Sequence, residues 1–577
     1  MRFAFAIVAS LTVAACHSPT PVTPPGLRLG TLHRPIRTTS PEAQARFDRG
    51  LVAMYGFNYD EARYQFHTAL RADESCAMCA WGYAMSGSTN INDVDKQWPG
   101  TRVAAERAVK LSTTDVERAL AEALVKRLAP ASAEMGMPAP QPERDKLSVA
   151  YADAMRSVAA RFPADDDVQI ALAEALLIAT PRFVPWWEDG QPASPSVEEA
   201  RGAIEGVLAR SPQSIGAIHY YIHITDQSPH VAKAAPYADK LGALAPDAGH
   251  LVHMPSHTYL SLGRYAEAED VNIAAIAADK RYLDRTPPGS QYEMFTMHPK
   301  DYLWYVVFWA GKRTDAVAQA AELAKDPMRA MPNPLGFGPS LFMALISARY
   351  GMWDEALKLP ESDGAITNIS TRFARGLAFV GKRRLFDAAA EVDAIRKAVA
   401  AANFSTPAPT ASPPPHGGTH GAPGGHGPPP DAAAAGGPPM PPAMLERIRE
   451  TIVADGESAA AQLEAAIAFA KNDKEKAIER CQAAVEAEDD LPNEGELTSF
   501  PLPARQRLGA YLLAAGRAKD AEKAYREDLV KFPENGWSLF GLATALDAQK
   551  SPEAAAVWAR FKKTWARADV KLTSSVF

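Results

Sequence analysis

Four cysteines in 577 residues are too few to staple a fold of this size, so a hydrophobic core must hold it. Basic residues are not in excess either. Lys+Arg number 61 against 68 Asp+Glu, a formal charge of −7. With no long basic run there is no footprint for displacing counterions from a phosphate backbone, which excludes nucleic acid as a partner. Segments alternating Val, Ile and Thr between hairpin turns are missing, so no β-sheet domain is expected. The signatures HExxH, GxSxG, Walker A, GxGxxG, the EF-hand loop and paired carboxylates are absent. Their absence removes the recognised catalytic engines and argues against an enzyme. Long apolar runs are lacking too, which excludes a polytopic membrane protein.

One short apolar run is present. Phe3 to Val13 follows the positive Met1-Arg2 and has the length of a signal h-region, too short to span a bilayer. It ends in Val13-Ala14-Ala15-Cys16, which resembles a bacterial lipobox. That resemblance implies cleavage after residue 15 and lipidation of Cys16, against the alternative of a plain secretory signal with a chance cysteine. Residues 16–40 are Pro/Thr-rich and read as a tether. His17 stands where an inner-membrane retention signal would usually place Asp, which favours the outer membrane. The expected address is therefore the bacterial cell envelope, lipid-anchored and facing the periplasm.

Beyond residue 40 the chain reads as short amphipathic helices rich in Ala and Leu, so the class is all-α. A turn pattern recurs at Gly263…Ala268, Gly311…Ala316, Gly351…Ala356 and Gly516…Ala521. Gly ends one helix, and a small Ala lets the next pack closely. An earlier copy starts at Gly50 with Ala62, Phe66 and Ala69, and a late one runs from Phe532 to Leu546. These residues resemble the tetratricopeptide repeat, a 34-residue helix-turn-helix. The resemblance implies an α-solenoid in two arrays, 41–402 and 444–577. The stretches HYYIH, GHLVHMPSH and NGWSLFGL look like those of a largely uncharacterised bacterial tetratricopeptide family, which carries over no secure activity.

Between the arrays, residues 403–443 concentrate proline and glycine, with 13 Pro and 8 Gly from Pro407 to Pro442. Such a segment buries too little apolar surface to order itself and reads as a linker. Its His416, His420 and His426 read as part of a solvated tract rather than a metal site.

Histidine is distributed unevenly. Seven of 13 fall between His219 and His298. His219 and His223 are spaced i, i+4, as are His253 and His257, so each pair shares a helix face. The second pair follows the first by 34 residues, one repeat period. Aligned on the repeat, His219, His223, His250, His253, His257, His298 and Asp301 take the first-helix positions 2, 5 and 9. In the tetratricopeptide family those positions line the concave groove. Three readings stand: a polar network with Tyr220, Tyr221 and Tyr259 as partners, a transition-metal site for Zn or Cu, or acid/base chemistry. Met254, Met294 and Met297 would favour copper if their sulfurs faced the ions, but read first as core. Pro255 should kink or loosen its turn of the helix. The loop around Trp186 and Trp187 reads as a lid over the groove or a cap on the solenoid.

Cys76-Ala-Met-Cys79 lacks the following His of a haem site, the βαβ setting of a thioredoxin motif, and a second CxxC for zinc. In an exported chain it reads as a local disulfide, with free thiols or a redox switch as alternatives. The expected function is a binding or assembly module with a His-lined groove for a protein or peptide partner, anchored at a membrane; the alternative is a metal-binding protein.

Overall fold

The computed structural model describes residues 27–92, 97–130, 141–180, 185–188, 190–286, 290–326, 337–362, 364–401, 442–491 and 497–577. The signal segment, Cys16, the first part of the tether and nearly all of the linker with its three histidines lie outside these residues. The Met294 side chain does too.

The elements form for legible reasons. Thr114 and Glu117 make a capping box at Asp115–Arg127, and Asp165, Ser214 and Asn535 each accept a hydrogen bond from the first turn of their helices. Gly263, Gly311, Gly351 and Gly516 all sit at φ between 66° and 77°, the left-handed turn that an L side chain resists. Their partners Ala268, Ala316, Ala356 and Ala521 are fully buried, so each hairpin closes on a methyl group. Near the start, Phe66 wedges between two helices where a Cβ at Gly50 or Gly82 would lie within 3 Å of its ring. Helical hairpins stacked in sequence order make the chain an all-α solenoid of paired helices. Among the described residues the only sheet is a two-stranded ribbon, Trp187–Glu188 with Gln191–Pro192. None of the described helices is long and apolar enough to cross a membrane.

Two expectations need correction. Residues 27–40 are not a free tether: Leu27 and Leu29 are buried, Arg28 pairs with Asp247 at 3.1 Å, and Arg34 bridges Asp165 and Asp167. Nor is the break between arrays a break in packing. Helix Pro442–Ala470 lies on helices Ala365–Gly381 and Leu385–Ala401, so close that a Cβ at Gly376 would meet Leu463 at 2.2 Å. One apolar core runs from Leu27 through helix Pro442–Ala470 to Phe500, Leu502 and Trp537, while most side chains of the later helices pack in a second cluster of their own.

That return is polar as well as apolar. Arg349 is buried under the rings of Phe308, Trp309 and Trp537 and donates to Pro501 O at 2.7 Å and to Gln506. Burial pulls its pKa down to about 10. Trp537 Nε1 donates to Trp309 O at 3.2 Å. Further on, Asp569 accepts from the backbone N–H groups of Arg313 and Thr314 at 2.8 and 2.9 Å, and Arg567 pairs with Asp270 at 2.7 Å. The chain's last helices are thus clasped to its middle.

Cys76 and Cys79 are disulfide-bonded, with their Cα atoms 5.3 Å apart. Cys481 is a buried free thiol whose pKa burial pushes up to about 12.

Candidate metal centre

Helix Ile215–Thr225, capped by Ser214, turns His219 and His223 to one face. The following first helix breaks in two. Gly249–His253 ends at Met254, and Pro255–Ser261 begins with the proline that cannot donate to the preceding turn. The break keeps His250, His253 and His257 all buried. Gly249 is required here, since a Cβ would meet Asp279 Oδ1 at 1.7 Å. Helix Met297–Trp309 supplies His298 and Tyr302.

These elements bring six histidines into two groups of three. His219, His223 and His250 form one, and His253, His257 and His298 the other, with the ligand nitrogens in each group within 4.8 Å of one another. The rule of assembly repeats: an i, i+4 pair joined by the histidine at position 2 of the next first helix. In the first group His219 Nε2 lies 3.0 Å from His250 Nε2 and 3.1 Å from His223 Nε2. In the second, His253 Nε2 and His257 Nε2 are 3.1 Å apart. Each group packs on one ring. Phe57 touches His219, His223 and His250 at centroid distances of 4.5, 5.8 and 5.1 Å. Tyr302 touches His253, His257 and His298 at 4.9, 4.6 and 4.9 Å.

The outer nitrogens are held from behind. Asn272 Nδ2 donates to Ala268 O at 2.7 Å, leaving its Oδ1 to accept from His253 Nδ1 at 2.6 Å. His257 Nδ1 lies between Asp226 Oδ2 at 3.1 Å and Tyr302 OH at 2.9 Å. Burial, then the neighbouring imidazoles, hold His219 and His253 well below the usual histidine pKa. Neutral imidazoles with converging lone pairs are the donor set of Zn, Cu or Ni rather than Ca or Mg, and the carboxylate and amide behind them orient such ligands.

His257 also lines a chamber of about 460 Å³ between the solenoid wall and the returning helices. Asp226 and Tyr302 share its wall with Asp455, Glu488 and Phe532 from the other side. Burial raises the Glu488 carboxyl to about 7, against the pull of Ser458 and the Ala504 N–H.

Asp301 belongs to neither histidine group. The tyrosines expected as histidine partners bond elsewhere, Tyr221 to Glu205 and Tyr259 to Asp239, each at 2.8 Å, while Tyr220 bonds Glu174. Trp187 is not a lid on the histidines: its Nε1 donates to Ile224 O at 2.6 Å and its ring meets His230. Met254 is fully buried. Sequence reasoning did not find Phe57, Asp226, Asn272 or Tyr302. For Tyr302 a signal existed, four residues after His298 on one helix face.

No family model matches the chain, and no curated protein matches it. Solved structures similar to it include the TPR domain of P58(IPK), 10% identical with a TM-score of 0.21, covering 88% of this chain and 98% of that one. Yeast Tom70 is also 10% identical, with a TM-score of 0.25, covering 89% of this chain and 90% of that one. At these scores the likeness carries no argument; the architecture rests on the chain's own helix pairs.

Proposed function

We propose that this tetratricopeptide-type solenoid is a lipid-anchored protein of the bacterial cell envelope that holds transition-metal ions in its two three-histidine groups. One observation carries the reading. The ligand nitrogens of His219, His223 and His250, and those of His253, His257 and His298, converge to within 4.8 Å of one another in each group, a spread that one cation can span. In the first group His219 Nε2 can offer only one proton or one lone pair to its two nitrogen neighbours, whereas a cation accepts from all three nitrogens.

The test is metal uptake. Purified protein exposed to Zn(II) or Cu(II) and then dialysed should retain metal in stoichiometric amount. The double variant His253→Gln, His257→Gln should lose metal while keeping its helicity. Protein that retains none near neutral pH would end the metal reading. The envelope address is supported by Val13-Ala14-Ala15-Cys16 after the apolar run; an intact mass showing an unmodified Cys16 would remove it.

A second reading, a module for a protein or peptide partner, is favoured by large apolar side chains left to solvent, Phe386 at 88% and Val530 at 83% exposure. Cross-linking in native membranes, followed by mass spectrometry, should find a partner at these residues; cross-links confined to the chain itself would remove this reading.

A further inference from the structure

The two histidine groups are in ring contact with each other, although within a group most rings stand closer, at 4.7 to 5.4 Å. His223 and His257 have ring centroids 6.0 Å apart, and His250 and His253 6.1 Å, both across the divide. Inside the first group His223 and His250 are 6.2 Å apart. The six rings therefore form one continuous shell, with Phe57 closing one end and Tyr302 the other.

Charge adds a second constraint. All six donors are imidazoles, and among the described residues no Asp, Glu or Cys belongs to either group. Asp226 stands behind His257 on Nδ1 and supplies no ligand atom. Two divalent ions would bring four positive charges into a largely buried shell whose donor set holds no protein anion, a charge that the single carboxylate of Asp226 offsets only in part. Three nitrogens per ion also leave coordination positions open. An anion small enough to reach both ions answers both demands, and the chamber wall formed by His257 gives it a route in.

We infer that the two groups act as one dinuclear centre, in which a small exogenous oxygen- or nitrogen-donor anion, such as hydroxide or azide, bridges the two ions. The inference rests on the metal reading above and goes beyond it, because two independent single-ion sites would satisfy that reading equally. Bridged ions in paired metal sites stand about 3.5–4 Å apart, close enough for two Cu(II) spins to couple through the shared anion.

The experiment uses the full chain loaded with Cu(II), with copper per chain measured by elemental analysis and unpaired spins by double integration of the electron paramagnetic resonance spectrum. A coupled centre should hold about two copper ions per chain yet show far fewer spins than two uncoupled ions would give. Azide should perturb a ligand-to-copper absorption band at one equivalent per chain. The variant His298→Gln changes the least buried of the six ligands. It should fall towards one copper per chain and regain the full spin count for that ion. Two coppers with a full spin count in the wild-type protein, or saturation at a single copper, would overturn the dinuclear centre and leave the metal reading standing. Failure to take up copper or zinc at all would overturn the metal reading itself. Because the wild-type spin count decides the matter, the inference stays testable even if the variant does not fold.

Discussion

Asp279 is 4% exposed, accepts a hydrogen bond from Tyr292 OH at 2.6 Å, and fills the space that a side chain at Gly249 would need. Burial, only partly offset by Tyr292 and Lys300, raises its pKa from 3.8 to about 7. Between these two values the folded chain binds more protons than the unfolded one. Stability due to this residue therefore falls as pH rises through the window, and the full cost is present above it. Three units at 1.36 kcal/mol each give about 4 kcal/mol at pH 8, of which about 2–3 kcal/mol develops between pH 5 and pH 8. Asp279→Asn keeps an acceptor for Tyr292 and cannot ionise. The variant should be more stable than the wild type, and its advantage should grow by about 2–3 kcal/mol from pH 5 to pH 8. Urea midpoints followed by circular dichroism at both pH values, variant against wild type, measure this. Other titrating groups, Glu488 and the buried histidines among them, are common to both proteins and cancel in the difference. A variant whose advantage is the same at both pH values, or which is the less stable at pH 8, would show that Asp279 is ionised in the native chain and refute the reasoning.

Reducing the Cys76–Cys79 disulfide should cost about 1–2 kcal/mol, because a four-residue loop constrains the unfolded chain little; resistance of both thiols to alkylation before reduction checks the bond itself. Gly311→Ala should destabilise by about 2–4 kcal/mol, from the left-handed backbone and a Cβ that would meet Trp565; the contact would be 2.3 Å at φ +71°. A melting temperature equal to wild type would show that Trp565 is not seated there. Removing residues 403–441, which are rich in Pro and Gly and poor in apolar side chains, should leave helical circular dichroism unchanged per described residue. A large loss of signal would give the segment a structural role.

The repeat turns were legible because each combines two strong local constraints, a left-handed Gly and a buried Ala, at fixed spacing. The histidine pairs were legible for the same reason: i, i+4 spacing within a helix and one repeat period between helices decide which face they occupy. What periodicity could not supply is how faces divide. Repeat symmetry suggests one shared channel, whereas the structure groups each pair with the next repeat's His250 or His298, and Asp301 belongs to neither group. Asn272 and Asp226 meet the histidines from a neighbouring helix and a loop, and Phe57 comes from a turn more than 160 residues before His219. Contacts of that range are set by how hairpins stack, for which a single sequence carries no local mark. The return of the C-terminal helices was not legible for a related reason: a Pro/Gly-rich composition reads as a linker but says nothing about where the chain goes next.

The clasp between the last helices and the middle hairpins changes what kind of mechanical object the solenoid is. An open stack of hairpins behaves like a spring, in which each turn yields to load against its neighbours alone. Here Trp537, Arg567 and Asp569 tie the far end to Trp309, Asp270 and the backbone at Arg313, and the spring becomes a buckled loop. Stretching it must first shear the buckle, so compliance is lost at the turns nearest the histidine shell. A pull on the extreme C-terminus would be felt at residues some 250 positions earlier before it reached the helices in between.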